Sequence, residues 1–159
     1  DGIVQGTVGG GVNAPVNSAY SGALTIEAAI ISVSITSDGF VEYGFVPLSA
    51  TKSTIELPDT QNATNSGNVT EKFNIKTSNA TSSGSTWTLG SATGTQNVYI
   101  HEFATSSGWV KFAATDSYQR LVEGVTQNSS QSFDLRIGIP SSVSDYEQKT
   151  IYITIQATQ

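Results

Sequence analysis

The sequence predicts an all-β fold: an antiparallel, immunoglobulin-like β-sandwich with jelly-roll or Greek-key connections and an extended N-terminal strand. Three observations favour this fold. Apolar and polar residues alternate with a period of two along most of the chain. Clusters of Ser, Asn, Gly, Asp and Pro interrupt the alternation at short intervals. No segment keeps the helical period of 3.6 residues over three turns. A closed barrel is the alternative architecture.

Valine and glycine alternate at the start of the chain. Five residues occupy every second position of this nearly uncharged stretch: Val4, Gly6, Val8, Gly10 and Val12. Glycine loses more backbone entropy on ordering than any other residue, so the stretch forms a weak strand unless another surface holds it. We interpret residues 1–12 as an extension, residues 13–22 as a linker and residues 23–159 as the sandwich body.

The body contains nine runs rich in Val, Ile, Thr and aromatic residues, the composition typical of strands. In chain order they are LTIEA, IISVSITSDGFVEYGFV, TIEL, NVTEKFNIKTS, STWTLG, NVYIHEF, GWVKFAA, SFDLRIGIP and TIYITIQAT. The second run predicts a hairpin, because Ile31, Val33 and Ile35 alternate with polar residues before a turn at Asp38 and Gly39. The alternation then resumes in FVEYGFV, which would form the second arm.

The composition is typical of a secreted β-protein. Charged residues make up 13% of the 159 residues, against about 25% in soluble domains generally. The net charge is -6 with only seven Lys and Arg, which disfavours nucleic acid as a partner. No apolar run approaches the roughly 20 residues needed to span a bilayer. Since the chain has no Met, we expect it to begin after removal of a signal peptide and to be extracellular.

The sequence offers little for catalysis, and we expect no enzyme activity, cofactor or metal site. There is no cysteine, which excludes disulfides, thiolate zinc sites and thiol nucleophiles. The single histidine, His101, precedes Glu102, but neighbours on a strand point to opposite faces and would not form a catalytic pair. No nucleophile elbow, phosphate-binding loop or calcium loop occurs. Paired carboxylates of a hydrolase, which meet only in space, are a remote alternative.

Two stretches resemble those of known surface proteins. DTQNATNSGNVTEKFNIKT resembles the strand, turn and strand of bacterial and archaeal surface domains of the TasA or camelysin type. SFDLRIGIPSSVSDYEQKTIYITIQAT resembles the closing hairpin of small secreted sandwich domains. The resemblance covers about half of the chain and implies an extracellular protein. Several proteins of this kind build fibres in which one subunit lends a strand to the next.

This resemblance suggests a role for residues 1–12 as a donor strand. An extended segment that adds to a sheet edge gains main-chain hydrogen bonds, and its alternate side chains enter pockets. Val4, Val8 and Val12 would be the inserted side chains, while Gly6 and Gly10 would allow close backbone approach. The alternatives are that residues 1–12 form a strand of their own domain or are disordered. We therefore predict a structural subunit of a pilus-like or biofilm-matrix filament, whose partners are identical subunits.

The alternative function is a secreted carbohydrate-binding or adhesive module, with polysaccharide or a cell surface as its partner. Seven aromatic residues are candidates for a sugar-binding platform: Trp87, Trp109, Tyr43, Tyr99, Tyr118, Tyr146 and Tyr152. However, both tryptophans lie mid-strand among alternating residues, where large aromatic side chains usually fill cores. Exposed, coplanar tryptophans would favour the sugar-binding function.

Four N-x-S/T sequons are candidate glycosylation sites, all in stretches that look like turns: Asn62, Asn68, Asn79 and Asn128. In a chain so rich in Ser and Thr, two or three sequons are expected by chance, on the order of the number found. The sequence leaves their use open.

Overall fold

The computed structural model describes residues 3–6, 16–19, 27–106 and 108–159, the first two of these ranges as backbone strands only. This part of the chain is built of strands and turns and contains no helix, so no helix in it could cross a membrane. All of its strand pairs are antiparallel except one. The predicted all-β, antiparallel fold class is confirmed, and the immunoglobulin-like connectivity stays a prediction.

Thirteen strands lie within the described residues. They are β1 (Ile3–Gly6), β2 (Val16–Ala19), β3 (Val33–Ile35), β4 (Thr51–Ser53), β5 (Gln61–Asn65), β6 (Glu71–Thr77), β7 (Ala80–Thr81), β8 (Thr86–Leu89), β9 (Val98–Thr105), β10 (Gly108–Lys111), β11 (Gln119–Val125), β12 (Ser130–Gly138) and β13 (Ile153–Thr158).

The body strands form two sheets. The larger sheet has the order β3-β5-β12-β9-β8-β7, with β4 also paired to β12 and β10 to β9. The smaller sheet has the order β11-β6-β13. The one parallel pair within the described residues is β8 with β9. β1 pairs with β2 in a separate two-stranded sheet, so part of the predicted linker is a strand.

The two sheets pack face to face around one core. The larger sheet contributes Ala63, Phe103, Phe133 and Leu135, and the smaller contributes Phe73, Ile75, Leu121 and Val125. Phe73 and Ile75 lie on the central strand β6 and have no solvent-exposed surface. Burying each such side chain stabilises the fold by about 1.5–3 kcal/mol. The body is therefore a sandwich held by alternate residues of both sheets.

Two connections that were expected to be local instead cross between the sheets. β5 and β6 flank the predicted turn but lie in different sheets. Asn65 fixes the crossing, since its Nδ2 donates to the carbonyls of Val69 and Val125 at 2.7 and 2.8 Å. Likewise β12 and β13 do not pair with each other. The expected closing hairpin is wrong, because β13 finds its partner in β6.

Two predicted strands are wrong. In IISVSITSDGFVEYGFV only β3 forms, and it pairs with the distant β5, while residues 36–50 contain no strand. The predicted turn does form, with Gly39 at φ 72° and Phe40 N donating to Asp38 Oδ1. The TIEL run is a turn, because the Glu56 carboxylate accepts hydrogen bonds from both the amide and the hydroxyl of Ser53. Local hydrogen bonds there replace a ladder.

Candidate functional site: an open groove between the sheets

A groove of about 860 Å³ opens between the two sheets. Its walls come from the inner faces of β9, β12 and β13 and from two segments without regular strand structure, residues 39–48 and 143–152. A pocket of this size could hold a small ligand or part of an extended chain.

β12 forms the floor of the groove. Its alternate residues Phe133, Leu135, Ile137 and the following Ile139 all line the groove. Phe133 and Leu135 also belong to the main core, whereas Ile137 and Ile139 do not, although they are only 6% and 7% exposed. Part of the apolar inner face of β12 therefore borders the groove instead of other core side chains.

Two segments beside the groove have backbone groups that belong to no strand ladder. β13 pairs with β6 on one edge, and within the described residues no strand pairs with its other edge. Facing the groove, residues 38–46 make no backbone-to-backbone hydrogen bond to any described part of the chain. Unpaired strand edges of this kind are templates for an added strand.

Three residues that line the groove each carry a buried polar atom without a hydrogen-bond partner. The atoms are Tyr43 Oη, Trp87 Nε1 and His101 Nε2, and among the described residues only Glu71 Oε2 shares this condition elsewhere. A buried polar atom left without a hydrogen bond costs about 1–3 kcal/mol. These atoms are enclosed by the protein and do not face the open space of the groove.

These groups are uncharged at ordinary pH. His101 is enclosed by the core, its Nδ1 lies 2.8 Å from Thr77 Oγ1, and burial lowers the pKa of its imidazole to about 3. Burial, reinforced by the nearby carboxylates of Asp59 and Asp134, raises the pKa of Tyr43 well above its usual value. His101 and Tyr43 therefore add no charge to the groove wall.

The charged residues near the groove are paired in the 143–152 segment. Lys149 Nζ lies 2.6 Å from Asp145 Oδ1 and also donates to the hydroxyls of Ser82 and Ser85. The hydrogen bond from Lys149 holds the pKa of Asp145 at about 2. These contacts tie the segment to the turn between β7 and β8 and thereby fix one wall.

The rim of the groove is apolar and exposed. Six large apolar side chains both line the groove and expose much of their surface: Ile35, Phe40, Phe45, Leu48, Tyr146 and Tyr152. Phe45 and Tyr146 are 88% and 86% exposed. Apolar side chains clustered at the mouth of a groove mark an interaction surface.

Only some of the predicted donor residues are among those that the structure describes. Val4 and Gly6 belong to β1, which pairs with β2 and with no body strand among those described. Val8, Gly10 and Val12 lie outside the described residues. The groove, by contrast, could not be recognised in the sequence, because segments far apart in the chain form its walls.

The structure does not bring the two tryptophans onto one face. Trp87 lines the groove. The guanidinium carbon of Arg136 lies over the Trp109 ring, 4.4 Å from the ring centroid. Arg136 alternates with groove-lining residues of β12, so Trp109 lies on the opposite face of that sheet. The platform considered for sugar binding, with both tryptophans coplanar, does not form.

His101 and Glu102 diverge as the strand alternation predicts. His101 points into the core beside Thr77, whereas Glu102 Oε2 accepts from Arg136 Nε at 2.6 Å on the outer face. The two side chains belong to different environments and cannot act on one substrate atom.

The four sequons occupy different settings. Asn62 lies in β5 instead of the expected turn, Asn68 lies in the bend before β6, Asn79 lies between β6 and β7, and Asn128 lies in the turn between β11 and β12. Asn128 is exposed and the other three are half-buried.

Comparison with protein-family models and with curated proteins finds no match to this chain. The groove is therefore the feature on which the proposed function depends.

Proposed function

We propose that this chain is the structural subunit of an extracellular, pilus-like or biofilm-matrix filament, in which residues 1–12 of one copy occupy the groove of the next. The observation that carries the proposal is an apolar groove beside an unpaired strand edge. This combination fits a peptide strand, which brings apolar side chains and hydrogen-bonding groups together.

The length of the donor suits the acceptor edge. β13 has six residues, which span about 20 Å at 3.3 Å per residue. Residues 1–12 span up to about 40 Å when extended, so they could follow this edge and continue beyond it. Each added backbone pair would satisfy groups that β13 leaves open.

A strand suits the site better than a purely hydrocarbon ligand does. A lipid chain would fill the apolar floor but would leave the backbone groups on the outer edge of β13 unpaired. A peptide offers carbonyls and N–H groups, and glycines at positions 6 and 10 let its backbone come close.

Cysteine cross-linking between two copies tests the proposal. The chain has no cysteine, so a mixture of the single variants Val8→Cys and Ile137→Cys has no background. We expect mild oxidation to form a disulfide between the two chains, because Ile137 lines the groove. Val4→Cys and Val12→Cys, tried in parallel, locate the register.

Ser132→Cys is the matched control partner. Ser132 lies on the same strand but is exposed and points to the other face. Random encounters would cross-link this exposed thiol more readily than one in the groove. If Ser132→Cys reacts as well as Ile137→Cys, or if no donor position reacts with the groove, the proposal is wrong.

A carbohydrate-binding or adhesive module is the second candidate. The observation that favours it is the exposed pair Tyr146 and Tyr152 on the rim, since aromatic rings can stack on sugars. In that case the full chain stays monomeric, and Tyr146→Ala weakens polysaccharide binding in a pull-down assay without changing the cross-linking yield.

A further inference from the structure

The four sequons differ in how much of each tripeptide is accessible. An enzyme that modifies a folded chain must reach the asparagine amide and the hydroxyl two residues later. In the sequons of Asn62 and Asn79 the middle residue is Ala63 or Ala80, and both are 0% exposed. In the sequon of Asn68 the first two residues are half-buried. At Asn128, Ser129 and Ser130 all three residues are exposed, and the Ser130 hydroxyl lies 2.7 Å from Thr64 Oγ1.

The asparagine side chains differ in the same direction. Asn62 Oδ1 accepts from the Ser132 hydroxyl at 2.6 Å, and Asn79 Oδ1 accepts from Leu89 N at 3.1 Å. Asn68 uses both ends of its amide, accepting from Ile30 N and donating to the carbonyl of Ala28. These amides hold neighbouring segments in place and are not presented to an enzyme.

Asn128 combines a fixed backbone with an unengaged side chain. Its φ is 61°, a conformation that asparagine tolerates well, and its N–H donates to the carbonyl of Asn65 at 2.9 Å. Ser129 N closes the turn by donating to the carbonyl of Thr126 at 3.0 Å. Within the described part of the chain, no hydrogen bond involves the Asn128 amide side chain, which therefore stands out from the turn.

The turn is also separate from the groove. None of residues 126–130 lines the groove, and the turn joins β11 of the smaller sheet to β12 of the larger. A bulky group attached there would leave the groove walls unchanged, so the modification and an occupied groove are compatible.

We propose that Asn128 is the N-glycosylation site of this chain and that the other three sequons stay unmodified. The sugar donor is a polyprenyl-phosphate-linked oligosaccharide, used by a separate transferase. Asn128 Nδ2 forms a bond to the anomeric carbon of the sugar, the bond from that carbon to the phosphate oxygen breaks, and the lipid phosphate leaves. The amide nitrogen loses one proton and keeps the other.

Mass spectrometry of the full chain purified from the cells that naturally make it tests this assignment. We expect one glycopeptide, which contains Asn128, and an intact mass above the polypeptide mass by one oligosaccharide. Asn128→Asp should remove the whole increment, because aspartate keeps the turn preference but has no amide. Ser130→Ala should do the same by removing the sequon hydroxyl.

Two variants serve as controls. Ser130→Thr preserves the sequon and should keep the glycan, and Asn68→Gln should leave the mass increment unchanged. A chain with no glycan, or with glycan on Asn62, Asn68 or Asn79, overturns the proposal. These outcomes do not depend on whether residues 1–12 fill the groove.

Discussion

His101, the only histidine of the chain, connects the core to the groove. Its ring lies 5.1 Å from that of Phe112 on the core side, the residue also lines the groove, and its buried Nε2 has no hydrogen-bond partner among the described residues. Protonation would place a positive charge in an apolar enclosure, so burial lowers its pKa to about 3. This one side chain should therefore make stability depend on pH.

We expect the free energy of unfolding to fall by roughly 2 kcal/mol between pH 7.5 and pH 5. The unfolded histidine titrates near 6.5, so between pH 6.5 and 3 the unfolded chain binds the proton and the folded chain does not. The contribution of neutral His101 to stability is thus fully present above pH 6.5 and is lost as the pH falls. Urea unfolding at several pH values measures the free energy of unfolding. In the His101→Gln variant, the free energy of unfolding should stay constant over this pH range. An equally steep decline in the variant would show that His101 is not the cause.

At the scale of elements, the groove lies between two segments whose backbone is not fully paired. β13 is paired on one edge, and residues 38–46 carry a strand-like sequence without a ladder. Phe40 and Phe45 remain exposed on the second segment. An added strand would have backbone partners along the open edge of β13.

Hydrogen exchange measures this pairing. In the single chain, the amides of residues 40–46 should exchange rapidly, because no backbone partner protects them. If the proposed filament forms, exchange in residues 40–46 and at the outer edge of β13 should slow by at least about tenfold, as expected for amides in a stable ladder. β9, paired along its length inside the larger sheet, should remain protected in both states. Identical exchange of residues 40–46 in both states would argue against insertion.

For the whole molecule, the two tryptophans report on opposite faces of the larger sheet. Trp87 lines the groove and Trp109 does not. A peptide of residues 1–12 should therefore change the emission of Trp87 alone. The chain used carries Gly6→Leu and Gly10→Leu, because bulky residues at these positions should stop its own segment from docking.

When the peptide is titrated into this Gly6→Leu, Gly10→Leu chain with Trp109→Phe added, the tryptophan emission should shift to the blue and saturate. With Trp87→Phe added instead, the emission should not shift. At 100 times the dissociation constant the peptide should also stabilise the fold by about 2.7 kcal/mol, which a thermal melt detects. A peptide of the same composition in scrambled order is the control. Equal shifts from both tryptophans, or from the scrambled peptide, would rule out specific occupancy of the groove.

The sequence alone determined the fold class and the strands with the clearest alternation. β6, β9 and β12 were predictable because large apolar side chains recur at their inward positions, so burial and period two agree. The turn at Asp38 and Gly39 was also predictable, since its hydrogen bond is local. The opposite directions of His101 and Glu102 followed from alternation in the same way.

Strands without such a local signal were harder to predict. β5, which only the resemblance predicted, faces inward with Gln61, Ala63 and Asn65, of which only one is apolar, and pairing with β12 holds it in place. β11 contains register shifts between Arg120 and Val122 and between Val122 and Val125, which break the period of two. Tertiary pairing formed both strands despite their composition.

Only the tertiary structure decided where the groove lies and which side chains border it. The FVEYGFV segment has the pattern of a strand, but β3 pairs with β5 instead, and the segment becomes a wall of the groove. Likewise, four equivalent sequons became distinguishable only once burial was known. Alternation is a property of neighbouring residues and can be read locally. A groove or an accessible amide depends on which distant segments pack together, and that is settled only by the balance of all pairings in the folded chain.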